Sequence, residues 1–109
     1  MPILVTGISH HTAPLEVRER LAITPGAYAD KVDELLDAVG LREAVILSTC
    51  NRTELYGVVA ESSRDRVASW LLAQGGLGLE DAPDLVYQHE GRAAVDHLFR
   101  VACGLDSMV

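Results

Sequence analysis

The chain has 109 residues, 49% of them hydrophobic and 23% charged, which suits a single domain with a compact core. Its formal net charge of −7 argues against a surface built as a whole to bind nucleic acid, because a phosphate backbone attracts a basic face. Two cysteines are too few for a disulfide scaffold, the start shows no signal-peptide pattern, and every apolar run is far shorter than the roughly 18 residues of a membrane span. We therefore expect a cytoplasmic protein with reduced thiols and no membrane contact.

The first part of the chain predicts one strand and two helices. The short β-branched run Ile3–Ile8 is typical of a buried strand. Pro14 suits the first turn of a short helix that extends to Leu21. Thr24, directly before a proline, predicts the N-cap of a second helix, and Gly40 suits its C-terminal cap. Apolar residues recur at helical spacing along this second helix, at Val32, Leu35, Leu36 and Val39.

The middle of the chain predicts a hairpin and a helix. Ala44–Thr49 and Glu54–Ala60 have strand patterns and are joined by a short loop, which favours antiparallel pairing. The pair Ser62-Ser63 suits the N-cap of a third helix, which ends at Gly75-Gly76. Its expected inward residues are Val67, Trp70 and Leu71.

The last part completes the fold prediction. Leu77–Asp84 is expected to be a loop and Leu85–His89 a fourth strand, and Gly91 is expected to open a last helix. The apolar face of that helix is predicted to contain Ala94, Leu98, Val101, Ala102 and Leu105. The resulting order, without the short first helix, is that of ferredoxin-like split βαβ folds. The predicted fold class is α+β, with a four-stranded, mostly antiparallel sheet and helices packed on one face.

Cys50 is the first candidate for chemistry. It follows a strand and lies in a loop of polar residues, the way in which rigid elements commonly present a functional side chain. Thr49, Asn51 and nearby backbone N–H groups could stabilise a carbonyl oxygen that develops negative charge. A free cysteine is also often a small buried hydrophobic residue. The residues alone leave a nucleophilic thiol and a structural one about equally favoured.

Arg52 and Glu54 add charge next to this cysteine. An arginine favours the thiolate form of a nearby cysteine, and it can clamp a substrate carboxylate through two hydrogen bonds. The alternative for Arg52 is a surface ion pair with Glu54. The two interpretations are compatible, because Glu54 can hold Arg52 in position from behind.

His97 and the other candidates are less specific. His97 lies at helical spacing between apolar residues, so a packed histidine is the commoner case; the functional alternative is a general acid/base that reaches the Cys50 loop. Cys103 is interpreted as a helix packing residue. The adjacent His10 and His11 would point to opposite faces of a strand, so we predict no metal site. No G-x-G-x-x-G motif is present to bind a dinucleotide.

Three stretches together carry a resemblance to a known family. They are Gly7–Pro14 (GISHHTAP), Ser48–Tyr56 (STCNRTELY) and His97–Met108 (HLFRVACGLDSM). From about Leu4 onward, the chain resembles the N-terminal catalytic domain of glutamyl-tRNA reductase. That enzyme catalyses the first committed step of tetrapyrrole (porphyrin) biosynthesis by the five-carbon route. The middle stretch is highly specific, and the other two stand at the expected distances from it.

The resemblance implies a reaction and its residues. The position matching Cys50 is the nucleophile that takes glutamate from glutamyl-tRNA as a thioester, and hydride from NADPH reduces that thioester to glutamate-1-semialdehyde. His97 matches a histidine important for activity. Glutamate-binding positions of the family match Thr49, Asn51, Arg52 and Ser107, around Cys50 itself.

The resemblance also implies that parts are missing. Residues 1–109 would be a truncated N-terminal catalytic domain, and the family's NADPH-binding domain and dimerisation helix lie in later segments. We therefore expect a homodimer for the full-length protein, with NADPH bound outside this chain, and we expect residues 1–109 alone to be unable to reduce the substrate.

The sequence is also compatible with two rival functions. One is a non-catalytic ferredoxin-like regulatory or RNA-contacting module with a structural cysteine, although the predicted strands lack the interleaved aromatic residues that stack on bases. The other is a thiol redox protein, which would need Cys50 and Cys103 close together and has no C-x-x-C motif to support it.

Overall fold

The computed structural model describes residues 3–58 and 63–104. One antiparallel sheet runs in the order β2-β3-β1-β4, with β1 at Ile3–Ser9, β2 at Ala44–Ser48, β3 at Arg52–Val58 and β4 at Tyr87–Glu90. The helices are α1 at Leu15–Leu21, α2 at Tyr28–Val39, α3 at Arg64–Ala73, α4 at Ala82–Leu85 and α5 at Arg92–Ala102. This arrangement confirms the predicted α+β, ferredoxin-like fold class. Within the described ranges, every helix is too short or too polar to cross a membrane.

Two short 3₁₀ segments shift helix and strand boundaries away from those predicted from the sequence. The first, Pro25–Ala27, follows Thr24, so that α2 begins only at residue 28. The second, Leu79–Asp81, leads directly into α4, and the prediction of a loop over Leu77–Asp84 is therefore wrong in part. Pro83 lies near the start of α4, where its missing N–H removes no helical hydrogen bond. Leu85 belongs to this helix, and β4 accordingly begins two residues later than predicted.

The second and third strands form the predicted hairpin with shifted ends. β2 stops at Ser48, one residue early, and β3 starts at Arg52, two residues before the predicted Glu54. Three residues of the predicted helices and strands lie outside the described residues, namely Ala60 at the end of the third strand, Ser62 in the third helix cap and Leu105 in the last helix.

The main core lies between one face of the sheet and two helices. Leu4, Ile46 and Leu55 point from the sheet toward α2 and α3. Gly40 ends α2 in the left-handed conformation, with φ 80°, and its N–H donates to the Leu36 carbonyl oxygen at 2.8 Å, as the sequence predicts. The helices contribute the residues at the predicted spacing, Leu35 and Val39 from α2 and Val67, Trp70 and Leu71 from α3.

Helix α5 packs on the opposite face of the sheet from α2 and α3. The predicted packing of helices on one face therefore holds for α2 and α3 but not for α5. Side chains alternate between faces along a strand, so Val5 and Tyr56 point away from the main core and pack against Ala94 of α5. Of the predicted apolar face of this helix, Ala94 is buried against the sheet, whereas Leu98 is 43% exposed. The α5 face of the sheet is the one that carries Arg52 and Glu54, which places α5 beside the Cys50 loop.

Candidate active site

Cys50 lies at the tip of the β2–β3 hairpin. The Thr49 N–H donates to the Arg52 carbonyl oxygen at 2.8 Å and closes the turn, and the Asn51 N–H donates to Thr49 Oγ1 at 3.2 Å. The Cys50 side chain is exposed, with its thiol donating to Asn51 Oδ1 at 3.7 Å. The alternative of a buried structural cysteine is therefore wrong, and the hairpin presents the thiol on a fixed backbone.

Two side chains from other elements hold this hairpin tip. The Tyr28 hydroxyl accepts from the Ser48 N–H at 2.9 Å and donates to the Ser48 carbonyl oxygen at 3.0 Å. From α1, Arg18 Nη1 donates to the Cys50 carbonyl oxygen at 3.1 Å. These partners are 20 and 32 residues away in the chain, so no local sequence pattern indicates either contact.

A cavity of about 480 Å³ opens beside Cys50. One wall is the hairpin tip and is mostly polar, whereas the other wall is the apolar last turns of α5. The lining residues are Leu47, Thr49, Cys50, Asn51, Arg52, Leu98, Val101 and Ala102. Four residues predicted as a site thus form one wall, and three residues of the predicted apolar face of α5 form the opposite wall.

Glu54 is the centre of a buried polar network behind this cavity. Its side chain is fully buried, and its Oε1 accepts from the Tyr56 hydroxyl at 2.8 Å. Its Oε2 lies 3.3 Å from Arg52 Nη1 and also accepts from the Tyr87 hydroxyl. Both side chains of the ion pair with Arg52 are buried, so the alternative of a surface ion pair is wrong, and Glu54 supports Arg52 from behind.

His97 also enters this network. Its Nε2 contacts Glu54 Oε2, and its side chain is only 12% exposed. The ring lies beside those of Tyr87 and His89, with centroids 5.3 Å and 4.9 Å away. A carboxylate at one ring nitrogen fixes the orientation of an imidazole, so His97 has the setting of an oriented acid/base group. The structure links it to the Cys50 cavity through Glu54 and Arg52.

The network keeps Glu54 ionised in spite of its burial. Burial alone would raise the pKa of Glu54, but hydrogen bonds from Tyr87, His97 and Tyr56, together with positive charge on His97, outweigh it and lower the pKa below its ordinary value of 4.5. The pKa values of Tyr56 and Tyr87 are both raised, first by burial and then by their hydrogen bonds to the Glu54 carboxylate. The result is an ionised carboxylate held by two neutral tyrosine hydroxyls, the Arg52 guanidinium and His97.

The remaining candidates lie elsewhere. Ser107 is outside the described residues, so its role stays a prediction. Cys103 is exposed at the C-terminal end of α5, and its interpretation as a packing residue is wrong. In residues 3–58 and 63–104, no three His, Cys, Asp or Glu side chains are grouped as metal ligands would be.

Fold and site together define a ferredoxin-like α+β domain with an exposed thiol beside a cavity and a buried carboxylate–histidine pair behind it. The family model for the N-terminal domain of glutamyl-tRNAGlu reductase matches residues 6–109, and the chain belongs to this family. The resemblance drawn from the three sequence stretches is thereby confirmed.

Individual relatives agree with this assignment. Over all 109 residues the chain is 43% identical to glutamyl-tRNA reductase of Pseudoalteromonas translucida and 47% identical to that of Marinobacter nauticus. It covers 26% and 25% of those two proteins. The solved structure of glutamyl-tRNA reductase from Methanopyrus kandleri matches with a TM-score of 0.76 at 29% identity, over 97% of this chain and 23% of that one. The chain thus spans about a quarter of the length of these relatives.

Proposed function

We propose that this chain is the N-terminal catalytic domain of a cytoplasmic glutamyl-tRNA reductase, which converts glutamyl-tRNA to glutamate-1-semialdehyde for tetrapyrrole biosynthesis. Membership of the family supports this proposal. The observation that carries it is the exposed thiol of Cys50 at a cavity whose hairpin wall is polar. A cavity of about 480 Å³ is of the size that holds a small molecule, and it suits the glutamyl group rather than the body of the tRNA.

In the first step, the Cys50 thiolate attacks the ester carbonyl of glutamyl-tRNA. A carbon–sulfur bond forms, the bond from the carbonyl carbon to the ribose oxygen breaks, and the tRNA leaves as an alcohol after taking up a proton. Thr49 and Asn51 belong to the same closed turn as the nucleophile, and their side chains are proposed to stabilise the oxyanion that develops. The product on the protein is a glutamyl thioester.

Arg52 is proposed to bind the free carboxylate of the glutamyl group. Its side chain lines the cavity yet is buried, and the ion pair with Glu54 fixes it from the protein side. A guanidinium held in this way is a preorganised partner for a planar carboxylate. Ser107 is proposed to complete the glutamate site, and His97, oriented by Glu54, to exchange the proton with the leaving group.

NADPH does not fit the described residues of this chain. A dinucleotide site places the pyrophosphate at a glycine-rich turn from a strand of a parallel sheet into a helix. Here the strand pairings of β1 through β4 are antiparallel, and the turn from β4 into α5 contains the single glycine Gly91 followed by Arg92. We therefore propose that the NADPH-binding and dimerisation domains follow residues 1–109 in the full-length protein. No residue of this chain is assigned a role in hydride transfer.

The test compares the two cysteines in the full-length reductase. Wild type, Cys50→Ser and Cys103→Ser receive glutamyl-tRNA labelled in the glutamyl group, with and without NADPH. Cys50→Ser is expected to lose both the trapped labelled thioester and the semialdehyde, whereas Cys103→Ser keeps both, because both thiols are exposed but only Cys50 lines the cavity. Turnover retained by Cys50→Ser would refute the nucleophile.

A second measurement tests the division of labour between domains. Residues 1–109 alone are expected to form the thioester or to hydrolyse the ester slowly, with no semialdehyde when NADPH is added. NADPH-dependent semialdehyde from these residues alone would contradict the placement of the cofactor in a later domain.

A further inference from the structure

We propose that Tyr87 is a positioning residue for His97 and acts through Glu54; this rests on the proposed function, in which His97 handles a proton. Tyr87 lies on the edge strand β4, far from Cys50 in sequence. Its hydroxyl donates to Glu54 Oε2, the same oxygen that His97 Nε2 contacts. Its ring also lies beside the His97 ring, with centroids 5.3 Å apart and planes inclined by 54°. Tyr87 therefore contacts both members of the carboxylate–histidine pair.

The sheet is built so that Tyr87 and Glu54 can meet across an intervening strand. Gly7 on β1 pairs with Glu54 of β3 on one side and with Tyr87 of β4 on the other. A Cβ atom at Gly7 would lie 2.8 Å from Glu54 Cγ and 3.1 Å from the Tyr87 hydroxyl oxygen. The missing side chain leaves a gap in the middle strand, and the two side chains make their hydrogen bond over this gap.

A comparison with Tyr56 distinguishes two roles for Tyr87: positioning the His97 ring, and merely donating a hydrogen bond to the buried Glu54 carboxylate. Both tyrosines donate to Glu54, but Tyr56 donates to Oε1 and Tyr87 to Oε2. Oε2 serves Arg52, Tyr87 and His97 together, so the direction from which Tyr87 donates restricts the direction left for the imidazole. Loss of the Tyr87 hydroxyl therefore frees the His97 ring, whereas loss of the Tyr56 hydroxyl leaves the Oε2 contacts in place.

The first readout is kinetic, in the full-length reductase with glutamyl-tRNA and NADPH. Tyr87→Phe keeps the ring and removes the hydroxyl, and Tyr56→Phe is the matched control that removes a hydroxyl from the other carboxylate oxygen. We expect kcat to fall roughly 10-fold for Tyr87→Phe, with KM changed by less than about 2-fold. The reason is that losing a hydrogen bond to a charged group typically changes a rate or equilibrium constant by about 10-fold or more. For Tyr56→Phe we expect kcat to fall by at most about 3-fold, since Tyr56 donates to Glu54 Oε1 and the imidazole contacts Oε2.

The second readout is spectroscopic and does not need activity. In the 109-residue chain with labelled histidine, Tyr87→Phe is expected to move the ring signals of His97, and Tyr56→Phe is expected to leave them near their wild-type positions. The backbone amide spectrum of each variant verifies that it is folded. Equal effects of the two variants, or unmoved His97 signals in Tyr87→Phe, would overturn the proposal. An inactive wild-type reductase would instead refute the proposed function, and the spectroscopic result would still decide the role of Tyr87.

Discussion

Arg52 and Glu54 form a buried ion pair, with Arg52 Nη1 3.3 Å from Glu54 Oε2. They are alternate residues of β3, so both side chains project from the same face of the sheet, toward α5. Removing one partner of a buried ion pair is far more costly than removing one partner of an exposed pair. The pair is therefore a structural element as well as part of the candidate site.

Glu54→Gln is expected to lower the free energy of unfolding by roughly 3 kcal/mol, because it deprives Arg52 of this buried carboxylate. Glu34→Gln is the matched control: it breaks the exposed pair between Lys31 and Glu34, and we expect a change below about 0.5 kcal/mol. Urea denaturation of the 109-residue chain measures both. Similar midpoints for the two variants would show that the buried pair does not stabilise the fold.

Gly7→Ala is expected to destabilise the chain by about 1–3 kcal/mol, because the new methyl group would lie 2.8 Å from both Glu54 Cγ and the Thr53 carbonyl oxygen. The backbone oxygen belongs to the paired strand and has little freedom to move. Gly26→Ala serves as the control, since a Cβ there meets no described atom within 4 Å, and we expect it to be neutral or stabilising by up to about 1 kcal/mol. A melting temperature of Gly7→Ala equal to or above that of Gly26→Ala would contradict the close approach of Gly7 to the neighbouring strand.

Stability is expected to fall at both ends of the pH scale for reasons located in the Glu54 network. The folded-state pKa of Glu54 lies below 4.5, so its stabilisation is present above that pH and is lost as the pH drops through the lower folded value. The folded-state pKa values of Tyr56 and Tyr87 are raised, so the unfolded chain releases these protons near pH 10 while the folded chain retains them, and stability declines above that pH.

The melting temperature measured as a function of pH checks both expectations. Glu54→Gln should reduce the loss of stability at low pH (the acid limb), and the double variant Tyr56→Phe, Tyr87→Phe should reduce the loss at high pH (the alkaline limb). An alkaline limb that is unchanged in the double variant would place its origin outside the network.

Thiol labelling should detect two accessible cysteines in the folded chain, because Cys50 and Cys103 are both exposed. Titration with a chromogenic disulfide reagent without denaturant is expected to give two equivalents for wild type and one for Cys50→Ser. A single equivalent in wild type, with two after unfolding, would mean that one thiol is shielded in solution.

Much of the fold follows from local patterns. Strand alternation, the helical spacing of Leu35 and Val39, and the glycine cap at Gly40 each depend on residues close in sequence, and these predictions agree with the structure. Errors occur where a short helix competes with a loop, as at Pro83, because single turns of helix leave almost no periodic signal.

The hairpin and the polar turn around Cys50 could be predicted from the sequence, since both depend on strand periodicity and turn length. The sequence pattern places Arg52 in the turn, so it does not show that Arg52 and Glu54 share one face of β3. The residues that this face contacts depend on the tertiary packing. The contacts of Glu54 with Tyr87 and His97 join residues 33 and 43 positions apart, and they exist because α5 packs on the second face of the sheet and β4 pairs with β1. Such contacts arise from packing between elements, which leaves no repeating pattern in any one stretch of chain.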